Sequence, residues 1–389
     1  MRIAIISSLY PWRHRPYSGT FIRELVWEFA RQGHDCVVIS PVSIWDIFRF
    51  GRVDVGSITE HVPRSEATVE VVRPIIISTS ARQIGSWNSI ELSDLLFSFA
   101  VKVELDRIID TVDCVYAHFF YPAGLAAVRY LKNKQIPIFI AHGDDFIDPW
   151  YLNKVKKDFQ NVSGVVAVST DNARFCNNVI SIPDSHVTML PNGVDRSLFY
   201  PRNRADARKR LGFHESTLLV AFVGHFIPRK GPDRVLSAIE GIPFVKALMI
   251  GEGPLLLSSK SIQFQGVVEH CELPWYLSAA DIFVLPTTSE GSCNALLEAM
   301  ACGLPVVTSD SSFNDDILNS SVGFRVDPMD IKQIRHVVSS LLFDSNLRAM
   351  MSKQCVNWSE RFNIETRAQR IAEWMSERIR ATTFFQLLR

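Results

Sequence analysis

Two carboxylates eight positions apart, Glu290 and Glu298, bracket the start of an apolar helical pattern in Thr288-Ser289-Glu290-Gly291-Ser292-Cys293-Asn294-Ala295-Leu296-Leu297-Glu298. A strand pattern from Asp281 to Pro286 runs into this stretch, and a second from Pro305 to Thr308 leaves it, so the whole reads as one βαβ unit. The first N–H groups of a helix have no partner within it, and the turn that faces them is where such a unit holds an anion or a nucleotide. Carboxylates on both sides of that helix start are odd for structure alone, which marks this stretch as the functional centre. A second strand, Thr217 to Val223, leads through Gly224-His225-Phe226-Ile227-Pro228-Arg229-Lys230-Gly231 into a helix from Pro232 to Ile239. Arg229 and Lys230 beside a helix N-terminus suit a diphosphate, which would meet fixed charge and aligned N–H groups together. A plain surface Arg-Lys pair is the alternative, and the spacing is not that of a Walker loop.

Two further strands end in histidine, Asp113 to His118 and Pro137 to His142. In an open parallel sheet that carboxyl edge is where ligands bind. His118 reads equally as a loop-filling or helix-capping residue, whereas His142, followed by Gly143-Asp144-Asp145, reads as functional. Gly19 opens a helix after the first strand, Ile3 to Ser7, and would let a phosphate or sugar approach the backbone; an ordinary helix-start glycine fits as well. No third ligand stands at metal spacing beside these groups, so no metal site is expected. Cys293 lies in the central turn without an obvious paired base, which argues against a nucleophile.

The elements that must position these residues follow from the rest of the chain. With 389 residues, two domains are expected. The 41 basic residues balance 41 acidic ones and 47% of the chain is hydrophobic, a globular profile that speaks against a nucleic-acid partner and against disorder. No apolar run reaches about 18 residues, and the opening Met1-Arg2-Ile3-Ala4-Ile5-Ile6 reads as a strand rather than a leader. Seven scattered cysteines, an odd number, point to reduced thiols and a cytoplasmic setting. Strand alternates with helix across the first half, which predicts a doubly wound parallel sheet. Residues 43–65, with Trp45, Phe48 and Phe50 among Arg49, Arg52 and Arg64, read as a long insertion, with an acceptor loop or a membrane-surface contact as alternatives. Pro191-Asn192-Gly193-Val194-Asp195 is the best boundary. The expected organisation is a first domain over 1–192, a second over 193–362, and a terminal helix over 363–389 with Ile371, Trp374, Met375 and Ile379 on one side.

Taken together, these turns resemble the family 4 retaining glycosyltransferases. The resemblance rests on Glu290 and Glu298 as an E-x7-E motif, Phe222 to Gly231, the Pro191 to Asp195 linker, His118 with Tyr121-Pro122-x-Gly124, and His142-Gly143-Asp144. It implies an α/β fold of two Rossmann-like domains facing each other across a cleft, the GT-B architecture, with the terminal helix returning to the first domain. It implies a retaining, metal-independent hexosyl transfer from a UDP- or GDP-sugar to a saccharide or lipid-linked acceptor, in surface polysaccharide or glycolipid synthesis. His142, Lys230 and Glu290 would be catalytic. Gly19, Gly224, Arg229, Lys230, Glu290, Gly291, Ser292, Cys293, Asn294 and Glu298 would hold the donor, with Glu290 on the sugar and Glu298 on the ribose. His118 and Asp144 would line the acceptor side. The donor is a substrate, so no cofactor is implied, and a peripheral contact with the inner face of the membrane fits the acceptor class. An epimerase-type enzyme of the same architecture and a non-catalytic partner subunit are the alternatives. Two departures stand out: His225 where many members have arginine, and Ser309 to Asp316 where many have Gly-Gly and then Glu, with Asp315 as the substitute. No D-x-D triplet for metal binding occurs in the chain.

Overall fold

The computed structural model describes residues 1–51, 54–79, 83–84, 87–143 and 149–387. It divides into two compact units, Met1–Leu190 with Glu365–Arg389, and Pro191–Ile364.

The first unit is built on an eight-stranded sheet. Its order is Val187–Met189, Gly164–Ala167, Ile138–His142, Cys114–His118, Arg2–Ser7, Asp35–Ile39, Thr68–Arg73, Gly56–His61. All neighbours are parallel except the last two. Ile3, Ile5, Val115 and Ile140 are fully buried, as expected of strands covered by helices on both faces, and this is why they read as unbroken apolar runs. Ser7 lies opposite His118, and His118 opposite Ala141, so both strand-end histidines share the carboxyl edge of the sheet. Gly19 caps the helix Thr20–Arg31 with φ 63°, and a Cβ there would lie 2.1 Å from the Leu9 carbonyl oxygen, so only glycine fits.

Residues 43–65 are not the plain insertion expected from sequence. Ser43 caps a short helix, Ile44–Phe50, by accepting the Trp45 N–H at 3.2 Å, and Gly56–His61 forms the edge strand of the sheet. That strand is half exposed and carries Ser57, Thr59, Glu60 and His61, so it lacks the apolar alternation that signals a strand. From Glu365 onward the terminal helix Ile364–Leu387 belongs to the first unit. Ile371 and Met375 are fully buried, the Trp374 ring meets Phe139 edge-on, and Arg378 donates to the carbonyls of Ser163 and Ser185, each at 2.5 Å.

The second unit has a six-stranded parallel sheet in the order Ile262–Gly266, Val245–Ile250, Leu218–Val223, Ile282–Leu285, Val306–Ser309, Gly323–Val326. Its buried fulcrum is Asp281. The carboxylate accepts from the Leu219 N–H at 2.8 Å and from Arg208 at 2.9 Å, and it touches Arg204 as well. Arg208 is itself buried and also donates to the Ala279 carbonyl at 2.9 Å. These arginines sit on the helix Arg204–Leu211, capped by Asn203, which a sequence reading without apolar periodicity passes over. Removing one member of a buried pair leaves the other charge uncompensated. Asp281→Ala is therefore expected to destabilise the second unit by about 3–5 kcal/mol, read as a lowered midpoint in urea denaturation.

Candidate active site

The site in the second unit begins with two adjacent strands. Val220 and Ala221 lie opposite Ile282 and Phe283, so the turns that leave these strands emerge side by side. The first turn is pinned on one flank by Gly251-Glu252-Gly253. A Cβ on Gly251 would fall 2.0 Å from the Gly224 carbonyl oxygen, and the Phe226 N–H donates to the Glu252 carbonyl at 2.8 Å. The other flank is held by Arg234. Its buried guanidinium donates to the carbonyls of Pro228 at 2.9 Å and Arg229 at 3.3 Å, and across to Pro286 of the second turn at 2.7 Å. The Thr288 N–H donates to the Arg229 carbonyl at 2.9 Å, and Arg229 donates to the Ser289 carbonyl at 2.5 Å.

Tied in this way, the two turns bring Lys230 and Glu290 into direct contact, with side chains only 14% and 10% exposed. Beyond Glu290 the helix Asn294–Ala301 starts at Cys293 with no side-chain cap. Ser292 is fixed by Asn192, whose backbone N–H donates to the Ser292 hydroxyl at 3.3 Å and whose side-chain amide donates to the Ser292 carbonyl at 3.2 Å. Burial pushes the Cys293 thiol up to about 12, with Glu290 adding to the rise, so it is neutral at pH 7 and is no nucleophile. Glu298 has a separate partner, His270 Nε2 at 3.1 Å, and the His270 ring lies 5.1 Å from that of Phe199. The carboxylate pair of the sequence motif is thus split, one on a lysine and one on a histidine.

The two departures from the family pattern have structural outcomes. The His225 side chain is exposed. Within the stretch Ser309 to Asp316, Ser309 and Asn314 are fully buried: Ser309 donates to the Thr287 carbonyl, and Asn314 donates to the Ser309 carbonyl at 2.8 Å. Asp315 pairs with Arg325 at 2.5 Å.

In the first unit, Gly19, His118 and His142 lie at the carboxyl ends of their strands or just beyond. Both histidines are buried, and burial pushes each ring down to about 3 from its ordinary 6.5, with nearby Arg367 adding to the effect at His118. Neither ring nitrogen of His118 has a hydrogen-bond partner among the described residues. His142 Nε2 faces the Asn172 amide nitrogen at 3.2 Å, and the Asn172 carbonyl accepts from the Ser169 hydroxyl at 2.7 Å. The serine thus orients the amide so that its NH2 donates to Nε2, leaving the His142 proton on Nδ1. Asp144 lies outside the described residues. Sequence reasoning missed Arg234, His270 and Asn172. For Arg234 a signal existed: a cation in the first turn of a helix opposes the dipole and needs carbonyl partners. His270 and Asn172 stand in no pattern that sets them apart.

Two Rossmann-like units, each with its polar turns at the carboxyl ends of parallel strands, define the GT-B class of glycosyltransferase. The same fold appears in sucrose-phosphate synthase from Thermosynechococcus elongatus, with a TM-score of 0.80 at 19% identity, covering 98% of this chain and 100% of that one. Residues 203–358 match the family "Glycosyl transferases group 1", and residues 18–198 match "Glycosyltransferase Family 4". The chain belongs to the family 4 glycosyltransferases. It is 29% identical over 329 residues, 80% of its own length and 81% of the relative's, to TuaC of Bacillus subtilis, provisionally described as a teichuronic acid biosynthesis glycosyltransferase. It is 31% identical over 191 residues to a GDP-mannose-dependent mannosyltransferase of Corynebacterium glutamicum that acts on a monoacylated phosphatidylinositol monomannoside; the match takes in 43% of this chain and 50% of that enzyme.

The buried histidines predict an acid limit. Unfolded, each would take a proton below about 6.5, while the folded form resists until about 3, so stability is full above 6.5 and falls as pH drops through that window. Between pH 6.5 and about 4 the loss is on the order of 3 kcal/mol per histidine. A His142→Gln variant is expected to lose less over the same range, as read from unfolding midpoints at each pH.

Proposed function

We propose that the protein transfers a hexose from a UDP- or GDP-sugar to a saccharide or lipid-linked acceptor, with retention of anomeric configuration and without a metal ion. The observation that carries this reading is the contact of Lys230 with Glu290 between two tied turns, beside the uncapped start of the helix Asn294–Ala301. As the bond between the anomeric carbon and the diphosphate oxygen breaks, negative charge gathers on the diphosphate. Lys230, Arg229 and the N–H groups of Gly291 to Asn294 would stabilise it there, which is where fixed charge contributes most to rate. The acceptor oxygen bonds to the anomeric carbon on the face the diphosphate leaves, and its proton passes to a diphosphate oxygen. Neither glutamate has to act as acid or base. Glu290 accepts from hexose hydroxyls, and Glu298, oriented by His270, accepts from ribose hydroxyls. His142, neutral and with its proton on Nδ1, serves as a hydrogen-bond donor to the hexose. The cations already present supply the charge that a metal would bring.

The relatives support an acceptor from cell-surface polymer or glycolipid synthesis, since one is described in teichuronic acid synthesis and the other acts on a phosphatidylinositol mannoside. No described helix is long and apolar enough to cross a membrane. A peripheral contact is supported instead by the first unit. Trp45 and Phe48 on the helix Ile44–Phe50 are 58% and 75% exposed, and Leu95 and Phe99 on the helix Ile90–Ile108 are 62% and 63% exposed. The two helices are linked through Ser78 and Thr79, to which Trp45 and Ser93 are hydrogen-bonded. Lys154 pairs with Glu91 at the start of the second helix, and Lys156 and Lys157 follow it in the chain. An apolar face flanked by lysines is what a helix lying on an anionic bilayer requires.

Incubated with a panel of UDP- and GDP-sugars, the protein is expected to release nucleoside diphosphate slowly from one of them, and Lys230→Ala to lower that rate about 100- to 1,000-fold with the fold intact by circular dichroism. Saturation by none of the donors in calorimetry, or a near-normal rate in the variant, would reject the reading. Leu95→Glu with Phe99→Glu is expected to abolish sedimentation with anionic liposomes at low salt while leaving donor hydrolysis unchanged; undiminished sedimentation would remove the membrane contact.

A further inference from the structure

Lys230 and Glu290 neutralise one another, and both side chains are mostly shielded from water. Two shielded charges in contact attract strongly, and either one alone is costly. An anion brought to Lys230 therefore meets the Glu290 carboxylate too. A bare nucleoside diphosphate ends in a phosphate monoester, whose second ionisation falls near pH 6, so at pH 7 it carries more negative charge than the same group esterified to a hexose. It also offers Glu290 no hydrogen-bond donor. A nucleotide sugar differs in both respects: its terminal phosphate bears less charge, and its hexose hydroxyls can donate to the carboxylate, where charge-assisted hydrogen bonds are the strong ones.

We propose that Glu290 makes the site discriminate between loaded and spent nucleotide: beside Lys230, its carboxylate disfavours a bare nucleoside diphosphate and is offset only when a hexose donates to it. The inference rests on the reading that Lys230 and Glu290 hold the donor, and it adds a direction to the cycle. Before transfer the hexose masks the carboxylate. After transfer the hexose departs with the acceptor, the terminal phosphate gains charge once the proton it took from the acceptor is released to solvent, and Glu290 is left facing it, so the product is expelled. Arg229, held on the neutral Ser289 carbonyl, keeps its charge and attracts both forms of the nucleotide, so the difference between them falls to Glu290. Cys293, next to the pair, is neutral and adds no charge.

Calorimetric titration of UDP, UDP-glucose, GDP and GDP-mannose into the wild type and Glu290→Gln tests this. Glutamine keeps the size and shape of the side chain, removes its charge and exchanges one acceptor oxygen for an NH2 donor. The wild type is expected to prefer the nucleotide sugar over its own diphosphate by at least tenfold. In Glu290→Gln the diphosphate is expected to bind about tenfold tighter, with the preference falling toward unity. Diphosphate affinity unchanged or weakened in a variant that melts like the wild type overturns the inference. The wild type alone gives a second test that needs no variant: free glucose or mannose should tighten diphosphate binding several-fold by masking Glu290, and no such synergy overturns it as well. If no nucleotide sugar binds the wild type, the donor reading itself fails and takes this inference with it.

Discussion

The site in the second unit depends on one buried guanidinium. Arg234 sits in the first turn of a helix, where the dipole disfavours a cation, yet three carbonyl oxygens from two different turns surround it. Two of them belong to the turn that carries Arg229 and Lys230, and the third closes the strand that leads to Glu290. Parallel register had already brought the two strand ends together. Arg234 turns that proximity into a fixed distance, because a planar fork bonded to both turns does not let them separate. The Lys230–Glu290 contact follows from this arrangement rather than causing it, which is why either residue can be changed with less risk to the fold than Arg234.

The strand-end residues singled out in the two units handle charge in opposite ways. In the second unit, charges are kept and paired: Lys230 with Glu290, Arg208 with Asp281, Asp315 with Arg325. In the first unit, burial removes charge from the two strand-end histidines and leaves them neutral across the physiological range. Under the proposed reading the division is sensible. A leaving diphosphate needs standing positive charge, whereas a hexose hydroxyl needs a hydrogen-bond donor whose protonation state does not drift. The Ser169–Asn172–His142 relay fixes the tautomer without introducing a second charge.

Much of this was legible from sequence where the signal is local. Apolar runs and turn residues located both parallel sheets, and the terminal helix could be read from the spacing of Ile371, Trp374 and Met375. Strand-turn-helix spacing put Lys230 and the Glu290 turn at strand ends, because a turn's chemistry is written in the few residues that form it. What stayed hidden joins residues far apart in the chain: Arg234 to Pro286, His270 to Glu298, Asn172 to His142. Each is a side chain answering a partner that no periodicity announces. The edge strand Gly56–His61 was hidden for the opposite reason, since it buries too little to display a pattern at all.

The loop after the strand Val306–Ser309 shows how a departure from a family pattern can be structural without being neutral. Glycines there would let a ligand approach the backbone. Ser309 and Asn314 instead lace the backbone to itself through buried side-chain hydrogen bonds, and Arg325 draws Asp315 to the surface. A backbone whose carbonyls accept from its own side chains is stiffened. Under the proposed reading, donor phosphates are held by Lys230, by the Gly224 turn and by the helix start after Cys293. On that reading the charge stabilisation gathers beside the Glu290 carboxylate, which is what gives this side chain its influence on which nucleotide the site retains.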